Sequence, residues 1–114
     1  MVRVDDDVWR DLDPSPEGVV RSLADVTTAA GLEQTRARFW RYPPGAYGRP
    51  HNHAENGQEE VFVVLEGTLT MLLDGGAERV ELPPQSVIKV DPETERQLRN
   101  DGAVDVVLYA YNRA

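Results

Sequence analysis

The fold is decided by residues 45–67, which read GAYGRPHNHAENGQEEVFVVLEG. Both histidines of the chain lie in this stretch, and Glu60 begins an apolar run over residues 61–65. Side chains two residues apart in a strand point to the same face of a sheet. We therefore expect His51 and His53 to project to one side, close enough to share an ion, with Glu60 at the start of the next strand.

Strand-like segments continue on both sides of this stretch and are separated by proline and glycine. The sequence Asp74-Gly75-Gly76 between two of them predicts a tight hairpin, because glycine adopts a positive φ at little cost. Several short strands at this spacing predict an all-β sandwich or barrel. The predicted strands cover residues 35–42, 60–65, 68–73, 79–82, 86–90, 96–100 and 104–111.

The first thirty residues follow a different pattern. Ser15 suits a helix N-cap, Pro16 suits the first helical position and Gly31 suits the end. We therefore predict one domain over residues 1–114, with an N-terminal arm over residues 1–30 packed on a barrel over residues 31–114. The arm is expected to contain a short helix, whose apolar residues at roughly helical spacing are Val19, Val20, Leu23 and Val26.

The composition excludes several classes of protein. A chain of 114 residues supports one domain, and the absence of cysteine excludes disulfides, thiolate nucleophiles, iron–sulfur clusters and thiolate zinc sites. The net charge of −8 argues against binding to nucleic acid or to an anionic membrane surface. The longest apolar run is far too short to span a membrane, and the acidic start is unlike a signal peptide. These features predict a cytoplasmic protein.

Without cysteine, a metal ion can be held only by histidine, carboxylates or neutral oxygens. Two histidines and one carboxylate form the ligand set of open-sided Fe(II), Mn(II) or Zn(II) sites. Two histidines in a loop after Pro50 can equally be solvated surface residues, so the spacing alone leaves both alternatives open. The chain contains neither a Gly-x-Ser-x-Gly elbow nor a glycine-rich phosphate loop.

The residues around the histidines resemble the first signature of the cupin superfamily: Gly45, five residues, His51-x-His53, a short gap, Glu60, six residues and Gly67. The resemblance covers about residues 31–111, most of the chain. It implies a small single-domain cupin, an all-β barrel or jelly roll (double-stranded β-helix) of antiparallel strands. It further implies a divalent metal ion (Fe, Mn, Ni or Zn) on His51, His53 and Glu60. Cupins commonly pair sheets between subunits, which implies a homodimer.

The gap between His53 and Glu60 departs from the cupin pattern. It holds six residues where the family usually has three or four. Asn56-Gly57 is typical of a turn, which lets the extra residues bulge outward without moving either end. Glu59 competes as a ligand, but it breaks the six-residue spacing to the final glycine. Adjacent strand residues face opposite ways, so Glu60 is favoured and Glu59 is expected to face away.

The family's second signature is also altered. Pro83-Pro84-Gln85-Ser86 takes the place of the Pro-x-Gly turn without its glycine. Arg96, four residues before Asn100, stands where the fourth metal ligand belongs. Arginine has no lone pair to give and cannot ligate a metal. Three interpretations of Arg96 stay open: it binds an anionic substrate beside a three-ligand metal site, it pairs with Glu60 in place of the metal, or it turns outward to solvent.

The resemblance leaves open whether the chain is an enzyme. As an enzyme it would be dioxygenase-like or isomerase-like, or a decarboxylase, with a divalent metal ion and a small organic anion as substrate. Arg96 is then the candidate anion-binding residue. The alternative is a non-catalytic binding module, with or without a metal, whose barrel holds a small molecule.

Overall fold

The computed structural model describes residues 1–5, 7–12 and 19–113. Within these ranges the chain forms two antiparallel sheets, one of six strands and one of three, together with the short helix α1 at Val26–Ala30. This confirms the predicted all-β jelly roll. Among the described residues, no helix has the length and apolar character needed to cross a membrane. The strands are β1 Trp9–Asp11, β2 Ser22–Asp25, β3 Thr35–Tyr42, β4 Glu60–Glu66, β5 Leu69–Leu73, β6 Glu78–Leu82, β7 Val87–Val90, β8 Arg96–Arg99 and β9 Val106–Arg113.

The larger sheet has the strand order β1-β2-β3-β9-β4-β7, and the smaller sheet has the order β6-β5-β8. Strand alternation places the core between them: in β9, alternate residues from Val106 to Asn112 are buried. Burial of apolar side chains between two sheets is the main stabilising term of such a fold. The buried cluster consists of Tyr42, Ala46, Phe62, Val64, Leu69, Met71, Leu82, Val90, Leu98, Val106, Leu108 and Ala110.

The prediction for the N-terminal arm is wrong in part. Leu23 lies in strand β2, where it pairs with Trp40 of β3, because sheet pairing outweighs a weak helical pattern. The helix begins only after Asp25, whose carboxylate accepts a hydrogen bond from the Thr28 amide at 3.3 Å. It ends at Gly31, as predicted, with φ of 68°. The predicted cap at Ser15 and Pro16 lies outside the described residues.

The turn between β5 and β6 and the turn between β6 and β7 both contain residues with a left-handed backbone conformation. The predicted hairpin between β5 and β6 forms through a 3₁₀ turn at Asp74–Gly76. Gln85 has φ of 70° in the turn between β6 and β7, which closes with a hydrogen bond from the Ser86 amide to the Pro83 carbonyl at 3.1 Å. The turn therefore keeps a glycine-type backbone although its glycine is missing.

An irregular segment beside β8 carries the histidines. The Gly45 amide donates to the Asn100 carbonyl at 2.8 Å, and the Gly48 amide donates to the Leu98 carbonyl at 2.9 Å. His51 and Arg96 exchange two backbone hydrogen bonds of 2.9 Å each, so the segment extends the smaller sheet. This pairing holds His51 near the start of β4, where Glu60 lies.

Candidate metal centre

The structure brings the three predicted ligands together. His51 Nε2 lies 3.9 Å from Glu60 Oε1, and His53 Nε2 lies 3.4 Å from the same oxygen. The two imidazole rings are 5.4 Å apart and nearly perpendicular, at 89°. One ligand atom from each residue lies within 4.8 Å of the others. The two histidine side chains project to the same side, as predicted. They do so outside a regular strand, because only His51 pairs with a strand, through an isolated bridge to Arg96.

The six-residue gap is a turn, as the Asn-Gly pair predicted. The His53 carbonyl accepts hydrogen bonds from the amides of Asn56 at 3.3 Å and Gly57 at 2.9 Å, and Gly57 has φ of 65°. The His53 amide donates to the Pro92 carbonyl at 2.8 Å, which anchors the near end of the turn. At the far end, Glu60 is buried and Glu59 is exposed, which matches the expected choice between them.

The donor atoms fit a cation. His53 Nε2 and Glu60 Oε1 are both buried, and neither makes a hydrogen bond with any residue that the structure describes. An unpartnered buried polar atom costs about 1–3 kcal/mol. His51 Nδ1 lies 3.1 Å from the Arg49 carbonyl, to which it can only donate, so the lone pair of His51 Nε2 is left for a metal. A divalent ion would satisfy all three atoms.

Burial and neighbouring charges shift the pKa values of the three candidate ligands. Burial lowers the pKa of His53, which therefore stays neutral near pH 7. Burial opposes ionisation of Glu60, yet interaction with His51 and the charges of His53 and Arg96 together lower the pKa of Glu60. Interaction with Glu60 raises the pKa of His51. A metal ion on His51 would therefore compete with protonation of that ring.

A cavity of about 300 Å³ opens onto the three ligands. Its apolar part is formed by aromatic and aliphatic side chains of β3, β4 and β8, and its charged part by three arginines. Sequence analysis missed these arginines. The signal for Arg38 was its place on the same strand face as Trp40 and Tyr42, but nothing in the sequence pointed to Arg21. Besides the ligands, the lining consists of Arg21, Arg38, Trp40, Tyr42, Gly48, Arg49, Phe62 and Leu98.

Arg96 is fully buried, so the interpretation in which it turns outward to solvent is wrong. Its Nη2 donates to the Asp91 carbonyl at 3.0 Å, whereas its Nε and Nη1 find no hydrogen-bond partner among the described residues. No ion pair within 4.0 Å joins it to Glu60, although the Glu60 charge acts on it from further away. Arg96 does not line the cavity, and its role in binding an anion stays a prediction.

Several solved structures share this fold at low sequence identity. A sugar phosphate isomerase of the cupin superfamily from Silicibacter pomeroyi is 22% identical, with a TM-score of 0.78 over 99% of this chain and 76% of that one. A predicted oxalate decarboxylase from Thermotoga maritima is 19% identical, with a TM-score of 0.79 over 99% and 98%. A polyketide cyclase from Streptomyces resistomycificus is 17% identical, with a TM-score of 0.77 over 99% and 79%. Likeness at this identity shows the fold alone.

No curated protein matches the chain in sequence. A family model does: the cupin domain model Cupin_2 matches residues 38–111, which run from the middle of β3 to near the end of β9. The match includes the histidine pair, Glu60 and Arg96, and it agrees with the two-sheet architecture. The chain therefore belongs to the Cupin_2 family of cupin domains.

Proposed function

We propose that this cupin is a metal-dependent enzyme that acts on small organic anions, with a divalent ion held by His51, His53 and Glu60. The observation that carries the proposal is the pair of buried atoms, His53 Nε2 and Glu60 Oε1, that have no hydrogen-bond partner among the described residues and meet beside His51 Nε2. His51 itself is exposed, but the buried Nε2 of His53 is unlike that of a solvated surface histidine. The donor set suits Fe, Mn, Ni or Zn.

A bound divalent ion would supply Lewis-acid or redox chemistry at coordination positions that three protein ligands leave open. The chain's own residues prepare the site. The Arg49 carbonyl fixes the orientation of the His51 ring, and burial keeps the Glu60 carboxylate away from bulk water. Trp40 and Phe62 give the cavity apolar walls that favour a small organic molecule over water.

The reaction class is proposed to be dioxygenase-like or isomerase-like. Two of the three structural relatives are named for anionic substrates, a sugar phosphate and oxalate, which supports the anionic class of the substrate. Their different reactions are compatible with one centre, because a fold hosts many chemistries and the site decides among them.

Arg96 belongs to the proposal through its charge. The guanidinium is fully buried and keeps two nitrogens unpartnered among the described residues, so a ligand would have to displace its surroundings to touch it. At its present position its positive charge lowers the pKa of Glu60 and opposes protonation of His51 and His53. Arg96 is therefore proposed to favour the deprotonated ligands that a metal requires.

A homodimer is proposed from the outer face of the larger sheet. Strand β4 carries apolar residues on both faces, and on the outer face Leu65 is 43% exposed. Tyr111 of the neighbouring strand β9 is 38% exposed. A strand that is apolar on both faces needs cover on both, and a second copy would supply it. The cytoplasmic location also remains a proposal, supported by the composition alone.

Elemental analysis of protein purified without chelator tests the metal centre. The variants are the double substitution His51→Ala/His53→Ala and Glu60→Gln, with Glu59→Gln as a matched control one residue away on the exposed side. We expect about one ion per chain in the wild type and the control, and a large loss in both site variants. Equal metal in all four proteins would refute the site. A wild type that takes up no ion would replace the proposal with the metal-free binding module.

A further inference from the structure

The cavity beside the metal ligands is strongly basic in a protein whose net charge is −8. Arg21, Arg38 and Arg49 all line it. Among residues 1–5, 7–12 and 19–113, none of the three forms an ion pair with a carboxylate within 4.0 Å, unlike Arg79, which pairs with Glu81 at 2.7 Å. Arginines that line one cavity without an ion pair to a carboxylate form a candidate site for an anion.

We propose that Arg21 and Arg38 bind the anionic end of the substrate, a phosphate or carboxylate group, in this cavity. The inference rests on the proposed function, because the cavity is the one onto which the metal ligands open. It adds the residues that recognise the substrate and the chemical group that they recognise.

Arg21 is held in place by an aromatic corner. Its Nη1 donates to the Tyr42 hydroxyl at 3.2 Å, and its guanidinium lies 5.1 Å from the ring centre of Trp40 and 5.5 Å from that of Tyr42. Its Nε is buried and has no hydrogen-bond partner within the described part of the chain. Stacking fixes the plane of the guanidinium, and a fixed plane loses little entropy when an oxyanion binds.

Gly48 leaves the room that this arrangement needs. A Cβ at position 48 would lie 3.0 Å from the Tyr42 hydroxyl oxygen and 3.1 Å from Arg21 Nη1. The glycine therefore lets the histidine-bearing segment pass close to the aromatic corner. Arg21, which immediately precedes β2, thus lines the same cavity as the candidate metal ligands.

Arg38 keeps its charge available. The residue opposite it in the strand pair is Asp25 of β2. The Asp25 carboxylate instead accepts hydrogen bonds from the Thr28 amide at 3.3 Å and the Thr28 hydroxyl at 3.0 Å, at the start of helix α1. Among the described residues the Arg38 guanidinium has neither an ion pair nor a side-chain hydrogen bond, so an incoming oxyanion would be its first strong partner.

The rest of the cavity sets the size of the ligand. Trp40, Phe62 and Leu98 supply apolar walls of the same cavity, whose volume is about 300 Å³. Such a volume lies at the lower end of the range for small-molecule sites. We expect a compact carbon skeleton that carries a phosphate or carboxylate group for the arginines and an oxygen atom for the metal.

Titration with inorganic phosphate and with acetate, at constant ionic strength, tests the inference. The readout is Trp40 fluorescence in a Trp9→Phe background, since Trp40 lies in the cavity and stacks on Arg21. The double variant Arg21→Gln/Arg38→Gln is compared with Arg36→Gln. Arg36 is an exposed arginine of the strand that carries Arg38, and its replacement removes one positive charge, as each of the two cavity substitutions does. We expect about a tenfold or greater loss of affinity in the double variant and little change in the control.

Arg38→Gln alone is the second variant if the double variant does not fold, because the Arg38 side chain holds no other described part of the structure in place. The anion bound more tightly by the wild type identifies the recognised group. No binding of either anion by the wild type, or equal affinities in the double variant and the control, would overturn the inference. Metal content is measured on the same samples: anion binding that depends on the arginines in a protein without metal supports this inference while refuting the proposed metal enzyme.

Discussion

Gly67 ends the stretch that decides the fold, and its replacement should be unusually destabilising. Its φ is 70°, in the left-handed region that favours glycine. A Cβ there would overlap the Asp105 carbonyl oxygen and lie 3.1 Å from the Val106 Cα, and both of these are backbone atoms that no rotamer change can move. The left-handed conformation costs about 1–2 kcal/mol for alanine. Overlap in a packed region costs about 1–3 kcal/mol more, so Gly67→Ala should lose about 2–5 kcal/mol of unfolding free energy.

Gly57 provides the matched control, because its φ of 65° is nearly the same and a Cβ there would meet no atom within 4 Å. Gly57→Ala should lose only the conformational cost of about 1–2 kcal/mol. Urea unfolding of both variants and the wild type, followed by circular dichroism with chelator present throughout, gives the two losses. Equal losses would show that the clash with Asp105 is relieved by backbone movement and would refute the reasoning.

Three further substitutions test a buried amide, a turn and an exposed carboxylate. Asn100→Leu leaves two backbone carbonyl oxygens without the amide that reaches them at 2.7 and 2.8 Å, and urea unfolding should show a loss of about 2–4 kcal/mol. Gln85→Gly should raise the free energy of unfolding by about 0.5–1 kcal/mol, seen as a higher urea midpoint, because φ of 70° then costs little; a lower midpoint would contradict this. Hydrogen bonds from Arg79 and Thr70 lower the pKa of Glu81, so its ionised form stabilises the fold above its unfolded pKa and this is lost as the pH falls. The stability difference between wild type and Glu81→Gln should therefore shrink as the pH falls through the ordinary glutamate pKa of 4.5 and below it, and a constant difference would disprove it.

The parts of the fold that local chemistry controls could be predicted from the sequence. Strand β3 begins and ends as predicted, because alternating side chains run up to the proline pair that follows Tyr42. The candidate metal-ligating residues could also be named, since their spacing places two histidines before a strand that begins with a carboxylate, and the structure brings the three together. That they hold a metal ion stays a prediction. Gly31 ended the helix for the same local reason, its tolerance of φ of 68°.

The remaining features depend on tertiary pairing, which periodicity does not encode. Leu23 joined a strand because β3 offered an open edge for β2, and a weak helical pattern had no packing face to compete with that. Once β2 pairs beside β3, Arg21 lies near the aromatic corner of Trp40 and Tyr42. The basic cavity therefore could not be foreseen: one of its arginines reaches it only through an incorrectly predicted element.

The position of Arg96 links the proposed metal site to the proposed anion site. Its backbone pairing with His51 sets the two residues side by side, and its charge is buried without an ion-pair partner among the described residues. A divalent ion on the three ligands would bring two further positive charges beside it, against the single negative charge of Glu60. A buried excess of positive charge is costly unless an anion accompanies it. In the proposed function an anionic substrate supplies that compensation, and Arg21, Arg38 and Arg49 line the cavity that would receive it. With an arginine in place of a fourth ligand, binding of the metal would then depend on the charge of the substrate, so the two proposals are linked by one electrostatic balance.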